Sequence, residues 1–229
     1  MRIVVFGANG PTGRLLVSQA LAAGHQVIAV TRRPEKFPQQ HPDLTVAGAD
    51  VLDASAVDAV VSGADAVLST LGAPYGPKLI TVYSVGARNI FAAMERHQVR
   101  RLIVVSSSAT DPKPYADAGF FFNRVIQPFV VNVLGKTVYE DMRRMEELIR
   151  NSEVDWTIVR PSGLFDADFV SDYDLAEDHI AGRFTARSDL AAAMLAQAED
   201  DRNVRKILAV ATSENVPSMA RLIMREAFS

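Results

Sequence analysis

Gly7, Gly10 and Gly13 stand at three-residue spacing, behind four large apolar residues, Ile3 to Phe6, and ahead of the helical pattern Leu15, Leu16, Ala20 and Leu21. A tight strand-to-helix turn needs residues without side chains where phosphates approach the backbone and where the helix packs on its strand. A helix opening near Pro11 or Thr12 aims unpaired N–H groups at an anion, and a proline there gives up a donor that lacks an intrahelical partner. The implied chemistry is main-chain binding of a pyrophosphate; the competing reading is a tight turn in some other α/β protein.

A second apolar run, Gln26 to Val30, ends in Thr31-Arg32-Arg33. An NAD site commonly carries a carboxylate there, roughly 20 residues beyond the glycines, to hold the ribose 2′-hydroxyl. Two guanidiniums instead suit a 2′-phosphate, so NADP(H) is the expected cofactor unless Arg32 and Arg33 are an ordinary solvated loop. Further along, Ser106, Ser107 and Ser108 close the apolar run Arg101 to Val105. Ligands of open α/β sheets bind beyond the carboxyl ends of strands, so these hydroxyls either face the reactive end of a cofactor or cap the strand end.

These residues need a scaffold of alternating strands and helices. Strands are expected at Ile3–Phe6, Gln26–Val30, Leu44–Gly48, Ala66–Thr70, Arg101–Val105, Trp156–Val159 and Lys206–Ala211, with a short one near Arg183–Ala186. Arg160-Pro161 should stop the sixth. Helices are expected at Ala54–Val61, capped by Asp53 or Ser55, and at Thr81–His97. A long helical region ending near Asn151 should break at Pro128 or Gly135; its later part, from Thr137, turns Val138, Met142, Met145, Leu148 and Ile149 inward. Glu140–Arg144 and Arg143–Glu147 can pair on its outer face. Ser188-Asp189 should cap a helix from Leu190 to Ala198, and Pro217 should open a final one. The expected architecture is α/β: a doubly wound, mainly parallel Rossmann sheet with helices on both faces, in one domain over residues 1–229. Residues 163–187 form a small substrate-side excursion.

With 229 residues, 48% hydrophobic and 22% charged, the chain has the composition of one substantial folded domain. A net charge of −3 offers no basic field for nucleic acid or an anionic membrane. The absence of cysteine excludes disulfides and thiolate metal sites, and four scattered histidines lack ligand spacing, so no metal is expected. The chain enters a strand after Arg2 and has no apolar run long enough to span a bilayer, which favours a cytoplasmic location; a monomer or homodimer is expected.

Five blocks together resemble the atypical short-chain dehydrogenase/reductases, within them the NmrA-like, flavin reductase/biliverdin-IXβ reductase group. They are Gly7-Ala8-Asn9-Gly10-Pro11-Thr12-Gly13, Gly48-Ala49-Asp50-Val51-Leu52-Asp53, Gly86-Ala87-Arg88-Asn89-Ile90, Ser106-Ser107-Ser108-Ala109 and Trp156-Thr157-Ile158-Val159-Arg160-Pro161. The resemblance implies that Gly7, Asn9, Gly10, Pro11, Thr12, Gly13 and Arg14 hold the pyrophosphate region. It puts Arg32 at the 2′-phosphate with Arg33 as a second contact, Asp50 and Val51 at adenine, and Leu71 and Gly72 along the ribose-phosphate side. Ser106, Ser107 and Ser108 would lie near the nicotinamide, Pro161 and Ser162 on its carboxamide side, and Ser108 would orient substrate or relay a proton.

Ordinary members of the superfamily carry Tyr-x-x-x-Lys, in which the lysine favours the tyrosinate that serves as acid/base. Here Tyr139 is followed by Arg143, the right spacing with a different cation, so Tyr139 is either an acid/base or a packing residue. The resemblance implies an NADPH-dependent reductase of a small planar acceptor such as a flavin, bilin or quinone. Hydride then reaches a conjugated atom, and stacking needs no strong protein acid. Tyr75, Tyr115, Phe120, Phe121, Phe165, Phe169 and Tyr173 could supply the platform. A non-catalytic NADP(H)-sensing regulator is the alternative, and the short stretch after Pro161 disfavours a sugar-nucleotide epimerase.

Overall fold

A computed structural model describes residues 1–113, 120 and 122–214. Tyr115, Phe121 and the helix expected from Pro217 lie outside the described residues.

The first half is a regular alternation: β1 (Arg2–Phe6), α1 (Pro11–Ala22), β2 (Gln26–Thr31), β3 (Leu44–Gly48), α2 (Ala54–Val61), β4 (Ala66–Ser69), α3 (Val82–Arg96) and β5 (Arg101–Val105). After an irregular helical stretch come α4 (Lys136–Arg150), β6 (Asp155–Pro161), β7 (Gly163–Phe165), β8 (Asp174–Glu177), β9 (Phe184–Ala186), α5 (Arg187–Glu199) and β10 (Lys206–Ala211). Eight strands form one sheet in the order β3-β2-β1-β4-β5-β6-β10-β8. All its pairings are parallel except β10 with β8. β7 and β9 form a separate parallel pair. The expected doubly wound, mainly parallel sheet is therefore the fold, and its order reverses between β1 and β4, where such sheets open a crevice.

Two cores follow from the side-chain alternation of the strands. Val4 and Phe6 of β1 face one layer with α2, α3 and α4, whereas Ile3 and Val5 face the other with α1 and α5. Burial on both faces is why β1 reads as an unbroken apolar run. Helix α4 turns Val138, Met142, Met145 and Ile149 into the first layer, with Leu148 only partly buried.

Several local expectations change. β6 does not stop at Arg160 but runs through Pro161, in register with Val210. The carbonyl of Val159 accepts from Ser106 beyond the last β5 residue, so the backbone of Pro161, two residues on, faces the side where β5 has ended and no donor is needed there. The acidic stretch Asp174–Glu177 had no expected structure, yet it forms the antiparallel edge strand β8. Helix α5 starts at Arg187 with Ala186 at its N-cap, so Ser188-Asp189 is not the cap. Asp189 is fully buried in the first turn, and its carboxylate accepts from the Ser171 amide and hydroxyl and from the Thr212 hydroxyl.

The expected helix break is present in stronger form: residues 122–134 wind more widely around one α turn at Gln127–Phe129, and the Gly135 amide bonds five residues back to Val130. On α4 the Glu140–Arg144 and Arg143–Glu147 pairs are replaced, since Arg144 meets Asp141 and Arg143 reaches carbonyls outside its own helix.

Candidate functional site

The turn after β1 is shaped by what glycine lacks. Gly7 has φ +75°, and a Cβ on it would lie 2.6 Å from the carbonyl oxygen of Thr70. A Cβ on Gly13 would collide with the Gly7 carbonyl oxygen. β1, β4 and the start of α1 thus meet at backbone distance. The Thr70 hydroxyl donates to the carbonyls of Phe6 and Gly7, fixing the turn from the β4 side. Helix α1 begins with Gly10 at its N-cap, no capping side chain and Pro11 in its first turn, leaving the positive end of its dipole to a ligand.

This turn borders a cavity of about 1230 Å³ that runs along the carboxyl ends of the strands. It is large beside the roughly 300–1,000 Å³ of an ordinary ligand pocket. At one end it is lined by Arg32, Arg33, Asp50 and Val51, in the middle by Gly7, Asn9, Gly10, Pro11, Thr12, Leu71 and Gly72, and at the other by Ser106, Ser107, Ser108, Tyr139, Pro161 and Ser162. Gly13 and Arg14 do not line it: Gly13 packs beneath the turn, and Arg14 donates through Nε to the Asn9 backbone and side-chain oxygens at 3.1 and 3.0 Å.

The arginine-bearing end rests on α3. Asn89 donates to the Val51 carbonyl at 2.8 Å, and Gly86 leaves no room for a Cβ, which would lie 2.9 Å from the Val51 side chain. One oxygen of Asp50 accepts from the Leu52 amide. Asp53, not Ser55, caps α2, accepting from the amides of Ser55 and Ala56. In the middle, the Ala73 amide donates to the buried phenol of Tyr83. Burial pushes that phenol up to about 12.

At the serine end two of the hydroxyls differ in their surroundings. Ser107 accepts from the Ala109 amide and so caps the short turn Ser108–Thr110. Ser106 Oγ lines the cavity, is buried and has no hydrogen-bond partner among the described residues. The turn itself is held by α4 and β6. Thr110 Oγ1 lies 3.1 Å from Glu146 Oε1, which also accepts from Arg160 Nε at 3.0 Å. Burial lowers the proton affinity of the Arg160 guanidinium, and the hydrogen bond and charge of Glu146 raise it further, leaving it above its ordinary value. Asp141, fully buried, accepts from the amides of Tyr83 and Ser84, so a carboxylate on α4 caps the start of α3.

Of the expected aromatic platform, Tyr75 lines the cavity, while Phe120, Phe165, Phe169 and Tyr173 do not. Phe165 is buried in a small cluster with Phe184. Residues that sequence reasoning missed include Tyr83, Phe184, Arg183 and Arg187, all of which border the cavity. The signal for Arg183, Phe184 and Arg187 was faint, because they lie in or beside β9, a strand of only three residues.

The chain matches the model of a family described as NAD(P)H-binding over residues 7–201. It belongs to that NAD(P)H-binding family. An uncharacterised chloroplast protein of Arabidopsis thaliana is 30% identical over 173 residues, covering 71% of this chain and 59% of that protein. An uncharacterised protein of Mycobacterium tuberculosis is 33% identical over 108 residues, covering 47% of this chain and 12% of that protein. The chain therefore spans less than two thirds of the length of these curated relatives.

Among solved structures, a short-chain dehydrogenase/reductase from Veillonella parvula in complex with NADP superposes with a TM-score of 0.78 at 18% identity, covering 95% of this chain and 99% of the other. At that identity the likeness is one of fold. The site fits a dinucleotide on its own terms. α1 lacks a side-chain cap, a Cβ on Gly72 would meet nothing within 4 Å, and the orphaned Ser106 hydroxyl needs a polar partner. No helix among the described residues is long and apolar enough to cross a membrane, and none of them group as a metal site.

Proposed function

We propose that this protein is an NADPH-dependent reductase of a small, planar, conjugated acceptor such as a flavin, bilin or quinone. The observation that carries the reading is the single cavity joining Arg32 and Arg33 at one end to Ser106, Ser108 and Tyr139 at the other. Arg32 and Arg33 would take the 2′-phosphate, the turn from Gly7 to Thr12 the pyrophosphate, and Asp50 and Val51 the adenine. Leu71 and Gly72 would follow the ribose-phosphate side, Ser106 and Ser107 the nicotinamide ribose, and Pro161 and Ser162 the carboxamide. Gly13 and Arg14 act one step removed, by shaping the turn and holding Asn9. The bound dinucleotide supplies hydride.

Arg143 bears on the nature of the acceptor. Its guanidinium donates to the carbonyls of Thr110 and Ala109, so it does not serve Tyr139 as a lysine would. A reaction that localises charge on one alkoxide would lack that support, whereas a conjugated acceptor spreads the charge over its ring system. Leu79, Ile80, Val130, Val131 and Met142 line the same cavity and give an apolar wall against which a flat molecule can stack and exclude water. Ser108 would orient the acceptor.

The test is calorimetric titration with NADPH and NADH, followed by NADPH oxidation with a panel of flavins, bilins and quinones. Turnover above a heat-inactivated control with at least one acceptor is expected. Tight NADPH binding without any turnover would replace the reductase with a nucleotide-sensing regulator. No binding of either dinucleotide would remove both.

A further inference from the structure

Tyr75 and Tyr139 come from separate parts of the chain, yet their phenol oxygens stand 2.6 Å apart. The rings are tilted at 55° with centroids 6.0 Å apart. Tyr139 is 6% exposed and Tyr75 52%, so the pair runs from the buried wall of the cavity to solvent. Gly135 makes room for it. A Cβ there would collide with the Tyr139 ring and lie 3.1 Å from Tyr75 Cε1. Thr137 Oγ1 donates to the Gly76 carbonyl at 3.0 Å, tying the Tyr75 loop to the first turn of α4.

A phenol both donates and accepts a hydrogen bond, so two in contact can pass a proton along; a guanidinium has no accepting lone pair and does not deprotonate in proteins. Arg143, one turn beyond Tyr139 and engaged with the carbonyls of Thr110 and Ala109, cannot serve as the route by which Tyr139 recovers a proton. Tyr75 is placed to do so.

We infer that Tyr75 is the proton-relaying partner of Tyr139, a role that rests on the reductase reading above. Tyr139 gives its hydroxyl proton to the acceptor heteroatom on which negative charge builds, Tyr75 returns a proton to Tyr139, and water returns one to Tyr75. Each turnover delivers to the acceptor one hydride from NADPH and one solvent proton, leaving NADP⁺ and an acceptor reduced by two electrons. A charge spread over a conjugated system needs only a weak acid, and a phenol is one.

The experiment compares wild type, Tyr75→Phe and Tyr139→Phe, with flavin mononucleotide as acceptor. In protein carrying ring-labelled tyrosine and no dinucleotide, the ¹³Cζ resonance of Tyr139 should move in Tyr75→Phe, because its hydrogen-bond partner is gone. NADPH affinity should stay within about twofold, as neither phenol is asked to hold the dinucleotide. kcat should fall about a hundredfold in Tyr139→Phe, at the lower end of general acid contributions, and about tenfold in Tyr75→Phe with little change in KM. Imidazolium buffer should restore part of the Tyr75→Phe rate, which it would not do for a merely structural loss. A Tyr75→Phe enzyme that turns over at the wild-type rate overturns the relay, and an unmoved Tyr139 resonance overturns the pair itself. A wild type that oxidises NADPH with no flavin, bilin or quinone of the panel ends the reductase reading and the relay with it, while the resonance experiment still reports on the pair.

Discussion

The Nε of Arg143 donates to the carbonyl oxygen of Thr110 at 2.8 Å, and its Nη2 to that of Ala109 at 3.3 Å. The guanidinium thus fastens the middle of α4 to the turn that follows the three serines, where a fork of two donors matters more than charge.

Arg143→Lys recreates the Tyr-x-x-x-Lys spacing and removes that fork. It is expected to cost about 1–2 kcal/mol in urea unfolding, the net worth of one or two hydrogen bonds, and to lower reductase turnover as the serine turn loosens. A rise in kcat would mean that lysine supports Tyr139 here as it does in ordinary members of the superfamily.

Two glycines separate a steric demand from a conformational one. Gly24 has φ +82° with nothing near its missing Cβ, so Gly24→Ala should lose about 1–2 kcal/mol and leave dinucleotide binding unchanged. Gly13→Ala would drive a methyl group into the Gly7 carbonyl. It should lower the melting temperature further than Gly24→Ala and abolish dinucleotide binding in calorimetry.

Arg32→Ala should weaken NADPH binding about tenfold or more and NADH binding much less, since a charge-assisted contact to phosphate is worth about 1.5–3 kcal/mol. Equal losses for the two dinucleotides would shift the 2′-phosphate contact to Arg33, which borders the same end of the cavity.

The carboxyl of Asp53 is held below its ordinary value of 3.8, first by the Ser55 hydroxyl and then by the amides of Ala56 and Ser55. Because folding lowers this value, the stabilisation is complete above 3.8 and is lost as pH falls through the lower, folded value. Asp53→Asn keeps a capping oxygen but removes the titration. Its stability, followed by urea unfolding from neutral pH downward, should decline less steeply than wild type in the acid limb.

Much of this was legible because it is local. The glycine turn, the apolar strands and the arginines after β2 are each fixed within a dozen residues, and the doubly wound, mainly parallel class follows from alternating strands and helices. β8 was not, since Asp-Leu-Ala-Glu has no β-branched residue and owes its conformation to pairing with β10. The role of Asp189 depends on Ser171 and Thr212, 18 and 23 residues away. Tyr75 lies in a loop without periodicity, 64 residues from Tyr139, and no spacing rule could have joined them. Gly135, read as a helix breaker, also clears space for their rings.

Asp141 gives the two ends of the cavity a common footing. Its carboxylate anchors the first turn of α3, the helix that seats Val51 through Gly86 and Asn89, while its own helix carries Tyr139 two residues earlier. On the function proposed above, an engineer who recasts the arginine-bearing end by shifting α3 will therefore displace the serine-bearing end too. Altering dinucleotide choice without loss of turnover calls for substitutions in the loop after β2, where Arg32 and Arg33 are clear of that shared brace.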